Sequence, residues 1–242
     1  MKIKGFLKDV GGASRVTSAR EEATLKASAD VDRFDPIGET ARSLHPGKQT
    51  LKVVLVKEAS KSAKTIRFTS TDGRLPYFKP GQYVSISMKI GDSVISRPYS
   101  ISSSPSKTMG EEPYIEITVK KSREGFAGNF LFDNAKVGDC FVGYVGLGEF
   151  TYEPLRDKKR VMALAGGSGI TPFISMARAI EEGILDFDLT ILYGSVSQDD
   201  IVLKEELDRI SSPKVRIVHV PSGNNPKLNV EKGMLNALLI SR

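Results

Sequence analysis

The chain has 242 residues and a mass of 26.4 kDa, and with 40% hydrophobic and 26% charged residues it can fill two cores; a collagen-like fibre and a chain disordered throughout are excluded. Its 35 basic against 29 acidic residues leave a net charge of +6 and a pI near 9.3, but no basic helix or aromatic-basic stripe accompanies that charge, so no nucleic-acid partner is expected. A lone cysteine, Cys140, excludes an intramolecular disulfide and any all-cysteine metal site built from this chain; with no apolar run of ~20 residues and no secretory start, the expectation is a cytoplasmic protein without a membrane span.

Residues 1–48 carry few large apolar side chains and read as an arm with one short helix. Asp35 is its N-cap, Pro36 its first residue and Pro46 its stop, and Ile37, Ala41 and Leu44 form a docking face. From Leu51 the period changes. The runs LKVVLVKEA, AKTIRFTST, QYVSISMKI and YIEITVKKS are short, rich in β-branched and aromatic residues and parted by turn formers, as in an antiparallel barrel. FAGNFLFDNA follows as a helix, then a strand near Cys140 to Val145, with Cys140 expected as a buried strand residue; this domain spans 49–155. Beyond the basic turn Arg156 to Arg160, strands VMALAG, DLTILYGS and KVRIVHV alternate with helices TPFISMARAIEEG, VLKEELDRI and VEKGMLNALLI. That alternation predicts a parallel sheet with right-handed crossovers over 156–242. His45 and His219 read as structural histidines.

Two segments carry chemistry. Gly166, Gly167, Ser168, Gly169, Thr171 and Pro172 lie where a buried strand enters a helix, so backbone N–H groups and the helix dipole favour a phosphate; close packing of strand and helix is the alternative reading. Arg97, Pro98, Tyr99 and Ser100 combine a guanidinium suited to a diphosphate, a ring that can stack on a heterocycle and a hydroxyl for a ring nitrogen. An edge strand with a solvated arginine is the plain alternative.

In order and spacing, FKPGQYVSI, RPYSISS, YIEITVKK, GFAGNFL, VGD, GEF, LAGGSGITPF and LYGS resemble the ferredoxin-NADP reductase superfamily. The resemblance looks closest to reductase modules that feed oxygenases or carry a plant-type ferredoxin domain. It implies an N-terminal antiparallel FAD-binding β-barrel and a doubly wound parallel-sheet NAD(P)-binding domain, here C-terminally incomplete. By the same resemblance Arg97 would hold the FAD pyrophosphate, Tyr99 would lie against the isoalloxazine, and Ser100 would sit beside flavin N5, where the hydride arrives. Val119 and Lys120 would follow the flavin through their backbones, and Ala127, Gly128 and Asn129 would present N–H groups to the pyrophosphate. Gly167 to Thr171 would take NADH or NADPH, with Ser168 and Thr171 nearest its phosphates and nicotinamide side, and Ser195 would also contact the nucleotide. The implied activity is hydride transfer to FAD and passage of electrons to an iron-sulfur protein or an appended ferredoxin-like domain, any [2Fe-2S] cluster lying outside this segment.

Four departures qualify the match. Gly128 stands where the family has Ser or Thr, Val145-Gly146-Leu147-Gly148 replaces a Gly-Pro-x-Gly turn, and Val196 stands where an arginine would grip NADP, which favours NADH. The chain also stops before the strand with the Cys-Gly-Pro motif, as a fragment of a longer protein would. A non-enzymatic flavin-binding or interaction module is the second reading.

Overall fold

The computed structural model describes residues 16–18, 20–23, 35–44 and 47–222, with 42–44 as backbone alone. His45 and the segment VEKGMLNALLI lie outside the described residues. By compactness the chain forms two units, residues 1–40 and 41–242. Helix α1 (Pro36–Leu44) starts as its sequence predicts, with the Asp35 carboxylate accepting the Gly38 N–H at 2.8 Å. On its expected docking face Ile37 is 81% exposed.

Within residues 41–242, six antiparallel strands come first: β1 (Gln49–Ser60), β2 (Ala63–Ser70), β3 (Tyr83–Ile90), β4 (Ser93–Ser100), β5 (Ile115–Lys120) and β6 (Cys140–Leu147). Their order is β4-β3-β6-β1-β2-β5, and a bridge between Ile101 and Ile117 joins the two ends, closing a barrel. Val54 is the extra residue of a bulge in the β1–β2 register; beyond it β1 leaves β6 and continues against β2 alone. Leu51, Ile66, Phe68, Ile86 and Ile117 fill the interior, and helix α2 (Phe126–Asn134) adds Ala127 and Leu131.

SVISRPYS forms strand β4 at one end of the strand order, mostly exposed and holding a proline, so the alternative reading of an edge strand with a solvated Arg97 describes its local structure. One expectation is corrected here. Cys140, expected to be buried, is exposed at the first position of β6, where it lines a groove with Phe130 and Phe141.

Three parallel strands follow, β7 (Arg160–Gly166), β8 (Asp188–Ser195) and β9 (Val215–Pro221), in the order β7-β8-β9. Helix α3 (Thr171–Glu181) connects the first two and α4 (Lys204–Asp208) the second and third. The helix expected over 202–210 is cut to α4 because Val202 and Leu203 are buried and Leu203 takes a left-handed φ of 59°. Both connections bury apolar residues against one face of the sheet, through Ile174 and Ile180 on α3 and Ile201 and Leu207 beside β8. That core also contains Ala59 and Ala63, so the β1–β2 turn of the barrel belongs to it. On the opposite face Met162 and Leu164 are 52% and 49% exposed.

Candidate functional site

Closure of the barrel assembles the first half of the site. The Ile101–Ile117 bridge sets the Tyr99–Ser100 end of β4 beside the Thr118–Lys120 end of β5, although they stand at opposite ends of the strand order. Tyr99 and Ser100 are half-buried, and burial raises the Tyr99 phenol above its ordinary value while the Arg97 charge opposes the shift. Pro98 and Arg97 are exposed; the Arg97 guanidinium donates to the Ser96 carbonyl at 2.9 Å. Val119 is buried at the end of β5.

Helix α2 begins next to this strand end. Its cap, Gly125, supplies no side-chain acceptor, so no side chain caps the first-turn N–H groups around Ala127, Gly128 and Asn129. The Asn129 amide is turned back to Ser122, donating to its carbonyl at 2.7 Å and accepting its N–H at 3.0 Å. A side chain at Gly128 would meet only the Lys120 carbonyl, 3.8 Å from the added carbon. The residues present therefore fit an anionic cofactor through backbone donors and an exposed guanidinium, with open space at Gly128.

The glycine turn forms the second half. Gly167 takes φ +53°, nothing lies within 4 Å of a carbon added at Gly166 or Gly169, and Ser168 is exposed. A single 3₁₀ turn, Gly167–Ile170, leads straight into α3, whose first residues are Thr171 and Pro172, and the Thr171 hydroxyl donates to the Ser168 carbonyl at 3.0 Å. The Tyr193 phenol on β8 donates to the Gly167 carbonyl at 2.9 Å and accepts the Val202 N–H at 3.0 Å. Burial pushes that phenol up to about 12, so it stays a donor at neutral pH. At the carboxyl end of β8, the buried Ser195 hydroxyl has no hydrogen-bond partner among the described residues. An open glycine cradle, a helix N-terminus and an orphaned buried hydroxyl suit a dinucleotide phosphate chain.

Lys120 joins the halves. Its ammonium lies 3.7 Å from where a side-chain carbon on Gly167 would sit, and it pairs with Asp200, which also accepts from Ser62. Burial pushes the Asp200 carboxyl up, but Lys120 and Ser62 more than offset this and hold it below its ordinary value. The sequence placed Lys120 at the site through its backbone; its side-chain reach, Tyr193 and Asp200 were not foreseen. Among the described residues no cluster of His, Cys, Asp or Glu could hold a metal, and no helix is long and apolar enough to cross a membrane.

The profile of the oxidoreductase FAD-binding domain matches residues 50–152, and that of the oxidoreductase NAD-binding domain matches residues 163–242. The chain belongs to the ferredoxin-NADP reductase-like flavoprotein superfamily. Family membership assigns the barrel to FAD and the parallel sheet to NAD(P). The glycine betaine monooxygenase reductase subunit of Chromohalobacter salexigens is 32% identical over 180 residues, which are 74% of this chain and 47% of that protein. The toluate 1,2-dioxygenase electron transfer component of Pseudomonas putida is 29% identical over 195 residues, covering 80% and 54%. The chain thus spans about half the length of these curated relatives. In fold it is similar to the FAD/NAD-binding domain of nitric oxide dioxygenase from Vibrio cholerae O1 biovar El Tor, with a TM-score of 0.68 at 20% identity over 79% of this chain and 81% of that one.

Proposed function

We propose that the chain is the FAD- and NAD(P)H-binding part of an oxidoreductase that hands electrons to an iron-sulfur protein or appended ferredoxin-like domain. Residues 49–155 serve the flavin, residues 156–242 the nucleotide, and residues 1–48 form an arm. A bound flavin supplies acceptance of a hydride and release of electrons one at a time.

The chain supplies orientation and dry contact. Arg97 and the first-turn N–H groups at Ala127, Gly128 and Asn129 bind the flavin diphosphate, Tyr99 packs on the ring system, and Ser100 lies on the hydride-receiving side. Gly166, Gly167, Gly169, Thr171 and Ser195 seat the nucleotide. The observation that carries this reading is the meeting of the two clusters at Lys120, whose ammonium approaches Gly167 from the barrel. No acid or base is required, and His219, which burial holds below its ordinary value, is neutral at pH 7. Val196, 71% exposed directly after LYGS, offers no cation for a 2′-phosphate, which supports NADH as donor.

The test is an anaerobic absorbance spectrum after FAD addition and desalting, followed by titration with NADH and then NADPH. Retained flavin bleached at lower NADH than NADPH supports the proposal. Flavin retained but bleached by neither nucleotide would mark a binding module instead, and no retained flavin would remove the assignment of Arg97, Tyr99 and Ser100.

A further inference from the structure

One face of helix α3 is polar although it packs against the rest of the protein: Thr171 and Ser175 on it are buried, Arg178 is partly buried and Glu182 at its end is exposed. Thr171, Ser175, Arg178 and, just past the helix end, Glu182 recur at intervals of four, three and four, so they form a single stripe. The stripe faces the barrel segment that continues from Tyr99 and Ser100. The Ser175 hydroxyl donates to the Ser103 carbonyl at 2.7 Å, Arg178 donates to the Ser102 carbonyl at 2.8 Å, and Glu182 accepts from the Ser104 hydroxyl. Ser102, Ser103, Ser104 and Ser175 are at most 1% exposed.

The same segment is bound on its other side to β5. Ser102 donates its N–H to the Glu116 carbonyl at 2.8 Å, and the Ser103 hydroxyl accepts the Glu116 N–H at 3.1 Å. The Glu116 carboxylate, 6% exposed, is shared between Arg67 at 2.9 Å and Arg178 at 3.3 Å. A buried carboxylate that bridges two guanidiniums has few alternative geometries, because moving it away leaves both cations facing each other without their shared anion. The polar stripe therefore fixes both the distance and the rotation between α3 and the strap Ser102–Ser104. Four residues up the helix from Ser175 is Thr171, at the glycine turn; two residues back along the strap from Ser102 is Ser100.

We infer that Ser175 and Arg178 are positioning residues that hold the nucleotide turn at a set distance from Tyr99 and Ser100, so that hydride donor and acceptor meet in a reactive geometry. The inference rests on the oxidoreductase reading of this site. Neither residue touches either ligand; each acts through backbone carbonyls of the strap. Misplacement of reacting groups by about 1 Å costs on the order of a hundredfold in rate, so a ruler of this kind is read in the rate constant rather than in binding.

The test compares wild type with Ser175→Ala, Arg178→Gln and Arg178→Lys in two measurements. In anaerobic stopped flow, the rate constant for flavin bleaching at saturating NADH should fall on the order of tenfold in S175A and more in R178Q, the NADH dissociation constant changing by less than about twofold, with partial recovery in R178K. In hydrogen exchange on the flavin-free protein, S175A and R178Q should raise exchange in peptides covering 99–104 and 166–171 together. Unchanged rate constants in variants of a wild type that bleaches would overturn the inference and leave the oxidoreductase reading standing, as would a higher dissociation constant at full rate, or exchange that rises in one peptide alone. A wild type that does not bleach would overturn both.

Discussion

The phenol of Tyr193 donates to the carbonyl of Gly167 at 2.9 Å, so the second parallel strand holds the glycine turn that follows the first. The same oxygen accepts the Val202 N–H at 3.0 Å, which ties the turn to the buried loop before α4. Tyr193→Phe keeps the ring and removes both bonds, leaving a buried N–H and a carbonyl unpaired. We expect a loss of about 1–3 kcal/mol in stability. Thermal melting checks the stability, and NADH titration should show weaker binding because Gly167 is no longer held.

Arg97 separates a structural role from a binding role. It is exposed, and among the described residues its one hydrogen bond is to the neighbouring Ser96 carbonyl. Arg97→Ala should leave the flavin-free protein within about 0.5 kcal/mol of wild type, as for surface substitutions generally. FAD affinity should fall about tenfold or more, in line with the loss of a charge-assisted contact of about 1.5–3 kcal/mol. Equilibrium dialysis against FAD beside a denaturant melt reads both quantities.

Gly128 sits in the first turn of α2 with ordinary van der Waals space around it. Gly128→Ser should fold normally, gain up to about 1 kcal/mol from the loss of glycine's backbone freedom, and retain more FAD through desalting by restoring a hydroxyl at the diphosphate. Lower retention in a stable variant would show that the diphosphate lies elsewhere.

Gly81 does not tolerate a side chain. Its φ is +100°, and an added carbon would lie 1.9 Å from the Phe150 carbonyl and 2.8 Å from the Met176 side chain. The Phe150 carbonyl is backbone and cannot move aside cheaply. Gly81→Ala should cost at least about 2 kcal/mol, measured as a lowered midpoint in urea.

His219 sets a pH dependence. Burial lowers its pKa from the ordinary 6.5, with Asp208 opposing, so the folded protein resists taking up the proton that the unfolded chain accepts. The stability contributed by its neutral form is complete above about 6.5 and is lost as pH falls towards the folded value. Melting temperature should drop through that window, and His219→Gln should flatten the profile there.

What the sequence conveyed followed from how each segment meets solvent. β1, β2 and β3 announce themselves by alternation because one face is buried, and β7 and β8 by apolar runs. β4 was legible only as the edge-strand alternative for Arg97 to Ser100, because most of its side chains are exposed and show no alternation, and α4 came out short because Leu203 leaves helical geometry to reach the core. Glu116 illustrates the deeper limit. In YIEITVKK it occupies a position that alternation assigns to solvent, yet Ile115 to Val119 are all buried. The second cover is α3, some sixty residues later in the chain, and no local pattern reveals it. The stripe on α3 was unreadable for the same reason, since Ser175 and Arg178 look like surface residues until their strap partners are in place. Cys140 erred in the opposite direction, because residue type alone favours burial and its place at the start of β6 does not.

The turn between β1 and β2 places Ala59 and Ala63 in the core beneath β7 and β8. Lys57 pairs with Glu206 and Lys61 with Asp199 around that turn, and the Leu203 N–H donates to the Ala59 carbonyl at 2.9 Å. A cut at the linker near residue 155 would therefore strip the nucleotide-binding half of part of its own interior. Anyone grafting that half onto a different flavin barrel has to transplant the β1–β2 hairpin with it, and natural recombination between such reductases is subject to the same restriction: the unit that can be exchanged is not the unit that the linker suggests.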